Sequence, residues 1–123
     1  MPLNLRKCRI LTISRCRKKL DFDYHVGGVR VDRVVTHKHL GIVLNSEGNW
    51  KDHIGKVIGR AGQFLRLINR VLRDSTKEVK ETAYISMVCP ILEYGSPIWF
   101  PFRQDLSWEV ERIQRRAIVL NRF

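Results

Sequence analysis

Two hydrophobic periods divide the chain. Up to about residue 48 the apolar positions tend to alternate, and beyond it they recur every three or four residues. In the first part, Cys8 to Ser14 sets Arg9, Leu11 and Ile13 against Cys8, Ile10 and Thr12, a β pattern. Phe22-Asp23-Tyr24-His25-Val26 and Val29-Arg30-Val31-Asp32-Arg33-Val34 flank Gly27-Gly28. Two glycines between alternating runs predict a hairpin, because its tight turn needs positive φ. Phe22, Tyr24 and Val26 then share one side, and Val29 and Val31 line one side of the returning strand. Ile42 and Val43 fall in a further strand after Gly41, a glycine that reads as a place of close backbone approach. These runs predict a small antiparallel sheet of three or four strands.

From Trp50 the spacing is helical. Trp50, Ile54, Val57, Ile58, Ala61, Phe64, Leu65, Ile68, Val71 and Leu72 make one long amphipathic stripe. Gly55, Gly59 and Gly62 lie on a shared line of this helix, each costing about 1 kcal/mol relative to alanine. The line either admits another backbone at close range or is simply tolerated. Ser75-Thr76-Lys77-Glu78 has the form of a capping box and predicts a second helix running through Val79, Ala83 and Met87. Pro90, with no N–H, should kink or end it. Gly95, Pro97 and Pro101 forbid a regular helix around Tyr94, Trp99, Phe100 and Phe102, and Trp99 is expected in the core of the helical half. A third helix begins near residues 105–107, with Leu106, Val110, Ile113, Ala117 and Leu120 on its apolar side. The fold expected is α+β, with a β segment over residues 1–48 and a three-helix bundle over 49–123.

Composition changes this picture in one respect. The 123 residues suffice for at most one domain of modest core, and 44% hydrophobic residues is ordinary. The charge is not: 23 Lys and Arg stand against 12 Asp and Glu, a formal +11 with a pI near 10.2. Such a surplus points to a polyanionic partner, nucleic acid first, because each neutralised phosphate releases counterions. Cys8, Cys16 and Cys89 are too few and too scattered for a disulfide framework or a zinc knuckle, and suit a reducing compartment. There is no apolar run of about 18 residues to span a membrane, and the basic start lacks the apolar centre of a signal peptide.

Candidate chemistry is sparse. Asp21 and Asp23 share a strand face, as a magnesium pair would, but solvent-facing acids paired with Arg or Lys are the better reading. His37 and His39, two apart on a strand, share a face as well. Without further ligands they do not make a metal site. No Ser-His-Asp pattern, nucleophile elbow or phosphate-cradling loop can be assembled. The basic residues are better organised. Arg66, Arg70, Arg73 and Lys77 step by four, three and four, with Lys56 and Arg60 extending the polar face. The row is either a track for a phosphate backbone or a solvated face.

Taken in order, several segments carry a family resemblance: Asn4-Leu5-Arg6-Lys7-Cys8, His39-Leu40-Gly41-Ile42-Val43-Leu44, Trp50 with His53-Ile54, Pro90-Ile91-Leu92-Glu93-Tyr94-Gly95-Ser96 with Trp99 and Pro101, and Glu111-Arg112-Ile113-Gln114-Arg115-Arg116-Ala117. This order resembles the C-terminal part, end of palm plus thumb, of the reverse transcriptase of non-LTR (LINE-like) retrotransposons. The resemblance implies that Asn4 and Lys7 correspond to the asparagine–lysine motif closing the palm. Lys7 would then assist pyrophosphate departure as an acid or electrostatic stabiliser, only within a complete parent enzyme. His39-Leu40-Gly41 would correspond to the tyrosine–leucine–glycine primer grip, with His39 in place of the aromatic. The helices would form the thumb.

The nucleic-acid-binding residues expected on this basis are Lys7, His39, Leu40, Gly41, Lys56, Arg60, Arg66, Arg70 and Arg73. The partners implied are an RNA–DNA or DNA duplex, plus the upstream palm and fingers of the parent polymerase, with no membrane. The family's Tyr-x-Asp-Asp aspartates lie upstream of the matched segments. The chain alone is therefore expected to hold no Mg2+ and to be no enzyme, the metal belonging to the complete polymerase. An intracellular, nuclear location follows from the same resemblance. The rival expectation is a small basic nucleic-acid-binding module with no polymerase role.

Overall fold

The computed structural model describes residues 2–18, 21–100 and 104–120, apart from the side chain of Leu120. The fold is mixed α+β: short strands come first and helices follow. The chain divides into two compact units, Met1–Asp52 and His53–Phe123.

In the first unit a 3-10 turn at Leu5–Lys7 leads into β1 (Ile10–Leu11), followed by β2 (His25–Val26), β3 (Val29–Arg30), β4 (Arg33–Val34), β5 (Thr36–His39) and β6 (Ile42–Asn45). The described strands pair as three separate two-stranded ladders, where one sheet of three or four strands was expected. The Gly27-Gly28 hairpin does form. Both glycines have positive φ, 58° and 79°, and Val26 pairs with Val29 and His25 with Arg30. Its sides are exposed, however, Phe22, Tyr24, Val26 and Val29 included.

β1 runs parallel to β4, Ile10 opposite Arg33 and Leu11 opposite Val34. Parallel partners need a long crossover, and the segment carrying the β2–β3 hairpin supplies it. Of the alternating run from Cys8 to Ser14, only these two residues are strand. A local period shows that a segment can be extended but not which segment will pair with it.

The β5–β6 ladder is antiparallel, with Thr36 opposite Asn45, His37 opposite Leu44, Lys38 opposite Val43 and His39 opposite Ile42. Its two-residue turn is Leu40-Gly41, with φ 49° and 83°. Positive φ at both centres is the type I′ signature, whose twist matches the flanking strands. The expected strand after Gly41 is β6, and Gly41 itself serves the hairpin turn. Leu40 carries a cost in the left-handed region that glycine avoids.

β6 ends in a polar anchor. Asn45 is 6% exposed. Its Nδ2 donates to Asn49 Oδ1 at 2.6 Å and to Asp52 Oδ2 at 3.0 Å, and its Oδ1 accepts the Asn49 backbone N–H at 3.0 Å. Asn49 Oδ1 also accepts the Lys51 N–H at 3.2 Å, satisfying one of the amides that a helix start leaves without an internal partner.

That helix is α1 (Lys51–Val71), followed by α2 (Lys77–Met87), the short α3 (Cys89–Glu93) and α4 (Ser96–Trp99), and α5 (Gln104–Leu120). In the second unit α1 buries His53, Ile54, Val57, Ala61, Leu65 and Ile68, a three–four spacing. Val88, Leu92, Trp99, Ile113 and Ala117 are buried as well. The second helix starts one residue later than its capping box implied: Thr76, not Ser75, is the N-cap and makes no side-chain cap bond. Glu78 bonds its own backbone N–H and the Thr76 hydroxyl, contacts that hold its carboxyl below the usual range.

Pro90 acts as expected. α2 stops at Met87, and Pro90 sits in the first turn of α3, where its missing N–H leaves no bond unmade. Gly95 (φ 65°) then turns the chain into α4. The expectation that glycine and proline exclude helix here is corrected: Pro97 is tolerated because it too lies in a first turn.

Trp99 is 1% exposed. Its indole N–H donates to Tyr94 O at 2.6 Å, and its ring meets His53 edge-on, centroids 5.2 Å apart. Tyr94, Ile98 and Phe100 face outward, while Phe102 and Pro101 lie outside the described residues.

Candidate nucleic-acid interface

The first unit holds a cleft of about 410 Å³ lined by Arg6, Lys7, Arg9, His37, Lys38, His39 and Leu40. Two segments some thirty residues apart meet there. The 3-10 turn places Arg6 and Lys7, its Lys7 N–H bonded to Asn4 O at 3.0 Å. Arg9 is fixed just beyond: its Nη1 donates to Arg6 O at 3.1 Å and to Cys8 O at 2.8 Å. β5 supplies the opposite wall. His37 and His39 share a face of this strand, their rings stacked at 6.5 Å between centroids and 28° between planes. Leu40, 76% exposed at the hairpin tip, closes the row. Among the described residues no carboxylate lines the cleft. An environment of cations around one apolar side chain suits a phosphodiester with its sugar.

Of the residues expected from sequence, Lys7, His39 and Leu40 come together here, while Gly41 shapes the turn beside them. Arg6, Arg9, His37 and Lys38 were not among those expected. His37 was weighed only as a metal ligand; the basic run around Lys7 was the signal that could have drawn in Arg6 and Arg9.

The second surface belongs to the helical unit. Lys56, Arg60, Arg66 and Arg70 are all exposed on α1, and Arg73 is exposed in the turn after it. By helical period Lys56, Arg66 and Arg70 project away from the buried stripe and Arg60 lies at its flank. None of the five has an ion-pair partner among the described residues. Gly55 and Gly59 open onto space, with no atom within 4 Å of where a Cβ would stand. The third glycine of the line, Gly62, faces the Ile113 side chain at 3.9 Å. A farther cationic group lies on α5, where Arg115 stacks over Trp108 at 4.7 Å and pairs with Glu111 at 3.5 Å.

The acidic pair is spoken for. Asp23 bonds Arg30 at 2.8 Å and Asp21 bonds Arg33 at 3.2 Å, so both carboxylates brace the hairpin. They do not suit a magnesium ion, which would have to displace two guanidinium groups. Among the described residues no cluster of three or more His, Cys, Asp or Glu could hold a metal. The groups with perturbed pKa values do not line the cleft. Burial, then the nearby Lys56 charge, lowers the His53 pKa below 6.5. Burial, then Cys89, pushes the Tyr84 phenol up to about 12, which keeps it protonated near neutrality.

No protein-family model, curated protein or solved structure matches the chain.

Proposed function

We propose that this chain grips the phosphodiester backbone of an RNA–DNA or DNA duplex, as the palm edge and thumb of a non-LTR retrotransposon reverse transcriptase would. The observation that carries the reading is the cleft, where Lys7 and His39-Leu40, distant in sequence, face one another among further cations and no carboxylate. In a polymerase, the asparagine–lysine segment and the primer grip would have to stand on one site in this way. On this reading the β5–β6 hairpin is the grip, and α1, α2 and α5 form the thumb-like bundle. The exposed row from Lys56 to Arg73 is its phosphate track. The upstream palm and fingers are the protein partners, and they bring the magnesium ligands. The chain alone binds but does not polymerise.

The test is binding to an RNA–DNA hybrid, duplex DNA and single strands across salt concentrations. Tight, sequence-tolerant, salt-sensitive binding to duplexes is expected. Arg66→Ala and Arg70→Ala should each reduce the log–log salt slope by about one unit. Unchanged affinity and slope in both variants would reduce the row to solvated surface. Template-dependent nucleotide incorporation by the purified chain would overturn the non-catalytic part of the reading. If hybrid is bound no better than any other polyanion, the rival of a small basic binding module gains.

A further inference from the structure

The two histidines give the cleft a property that a wall of lysines and arginines would lack. Imidazole is the side chain that changes charge between about pH 5 and 8. The His37 and His39 rings lie near one another on one side of β5, centroids 6.5 Å apart and planes 28° apart. The charged groups around them are all cationic: Arg6 and Lys7 from the 3-10 turn, Arg9 beyond it, and Lys38 on β5 itself. The residues opposite them on β6, Leu44 and Ile42, carry no charge. No carboxylate in the lining offers either ring a standing counter-ion. A bound phosphate row supplies negative charge and can accept an N–H from either ring nitrogen.

Resting on the nucleic-acid reading above, we propose that this cleft is a proton-linked phosphodiester site: backbone binding draws protons onto His37 and His39, and the grip tightens as pH falls from about 8 to 6. Binding and protonation are reciprocal by linkage. A ligand that raises the proton affinity of the pair is itself bound more tightly when protons are plentiful. Each imidazolium that contacts a phosphate also adds a released counterion, so the salt slope should steepen with acidity.

The experiment measures the 123-residue chain binding an RNA–DNA hybrid at pH 6 and pH 8 over a salt series. The same series is run on the variant carrying both His37→Gln and His39→Gln. The wild-type chain is expected to bind about tenfold or more tightly at pH 6, with a slope steeper by about one to two units. Whatever its affinity at pH 8, the double variant should lose most of the gain between pH 8 and pH 6. As a check that needs no substitution, the imidazole C–H resonances of His37 and His39 in the wild-type chain should titrate at higher pH with hybrid bound than without. Equal wild-type affinity at both pH values, imidazole titrations unmoved by hybrid, or a double variant with the full pH response would each overturn the proposal. Salt-sensitive binding that ignores pH would overturn it while leaving the nucleic-acid reading intact; no salt-sensitive binding at either pH would sink both. Vesicles containing phosphatidylserine form the control arm. PH-dependent binding to them as tight as to hybrid would assign the cleft to a lipid headgroup and overturn the commitment to nucleic acid.

Discussion

In the helical unit the anchor is an aromatic ring, Trp99, sealed against His53 and bonded to Tyr94 O, whereas in the strand unit it is an amide, Asn45, held by three hydrogen bonds. The surroundings differ in the same sense. The second unit buries a stripe of α1 together with Val88, Leu92, Ile113 and Ala117, while the first buries little apolar surface beyond Val31, Ile42 and Val43. Its shape rests instead on turn geometry and on the Asn45 network, the exposed pairs of Asp23 with Arg30 and Asp21 with Arg33 adding little. Apolar burial is non-directional and scales with area; hydrogen bonds contribute less each but fix direction. A unit held in the second way can leave its basic residues outward and still place them, and there the cleft lies. It also tolerates an exposed leucine in a left-handed conformation at the hairpin tip, the kind of local strain that gathers at binding sites.

The contrast can be broken at its strongest point first. Trp99→Ala should cost about 3–5 kcal/mol, since it removes a fully enclosed aromatic. Chemical denaturation followed by far-UV circular dichroism would measure it. In a chain keeping only Trp99, with Trp50 and Trp108 replaced by Phe, a neutral quencher should reach the folded indole poorly. Ready quenching there would mean that the helical unit has no aromatic anchor.

Next comes the polar anchor. Asn45→Ala leaves the Asn49 amide and the Asp52 carboxylate without their shared partner and should cost about 1–3 kcal/mol. Because Asn49 also serves the first amide of α1, hydrogen exchange at Lys51 should quicken. A loss as large as that of Trp99→Ala would erase the distinction drawn between the units.

Smaller gains should come from the open face of α1. Gly55→Ala and Gly59→Ala meet no neighbouring atom, so each should stabilise the chain by roughly 0.5–1 kcal/mol through helix propensity. If they also weaken duplex binding, the glycines admit a ligand backbone; unchanged binding leaves them merely tolerated. A destabilised alanine variant would show that something packs on this face after all.

The smallest effect is a pH dependence. His53 is 3% exposed, and its folded pKa lies below the ordinary 6.5. Above about pH 6.5 both folded and unfolded states hold it neutral, and its contribution is complete. As pH falls below 6.5 the unfolded chain takes up a proton that the folded chain refuses, so stability drops until the lowered folded pKa is reached. The stability difference between wild type and His53→Gln should therefore shift in the variant's favour between pH 8 and pH 5.5. A difference independent of pH would place the ring in water.

What the sequence determined by itself is what neighbours a few residues apart can decide. The α1 stripe, the type of turn at Gly27-Gly28, the break at Pro90 and the large positive charge were all legible, because backbone conformation and helical facing depend on residues within about four positions. Which glycine turn would serve as hairpin tip was less so: Leu40-Gly41 lacks the usual Asn or Asp before glycine, and only the paired strands on either side make it a turn. The start of α2 slipped by one residue for a similar reason, since Ser75 and Thr76 are both able to cap a helix.

Tertiary structure alone decided the pairings. That β1 lies beside β4, in parallel, depends on how the intervening hairpin closes the loop, and no local period encodes that. The burial of Trp99 was legible, but that Tyr94 and Phe100 on either side of it stay exposed was not. The cleft is of the same kind. Lys7 and His39 were each visible as candidates, but their meeting, and the recruitment of Arg6, Arg9, His37 and Lys38 around them, required chain segments some thirty residues apart to be folded onto one another.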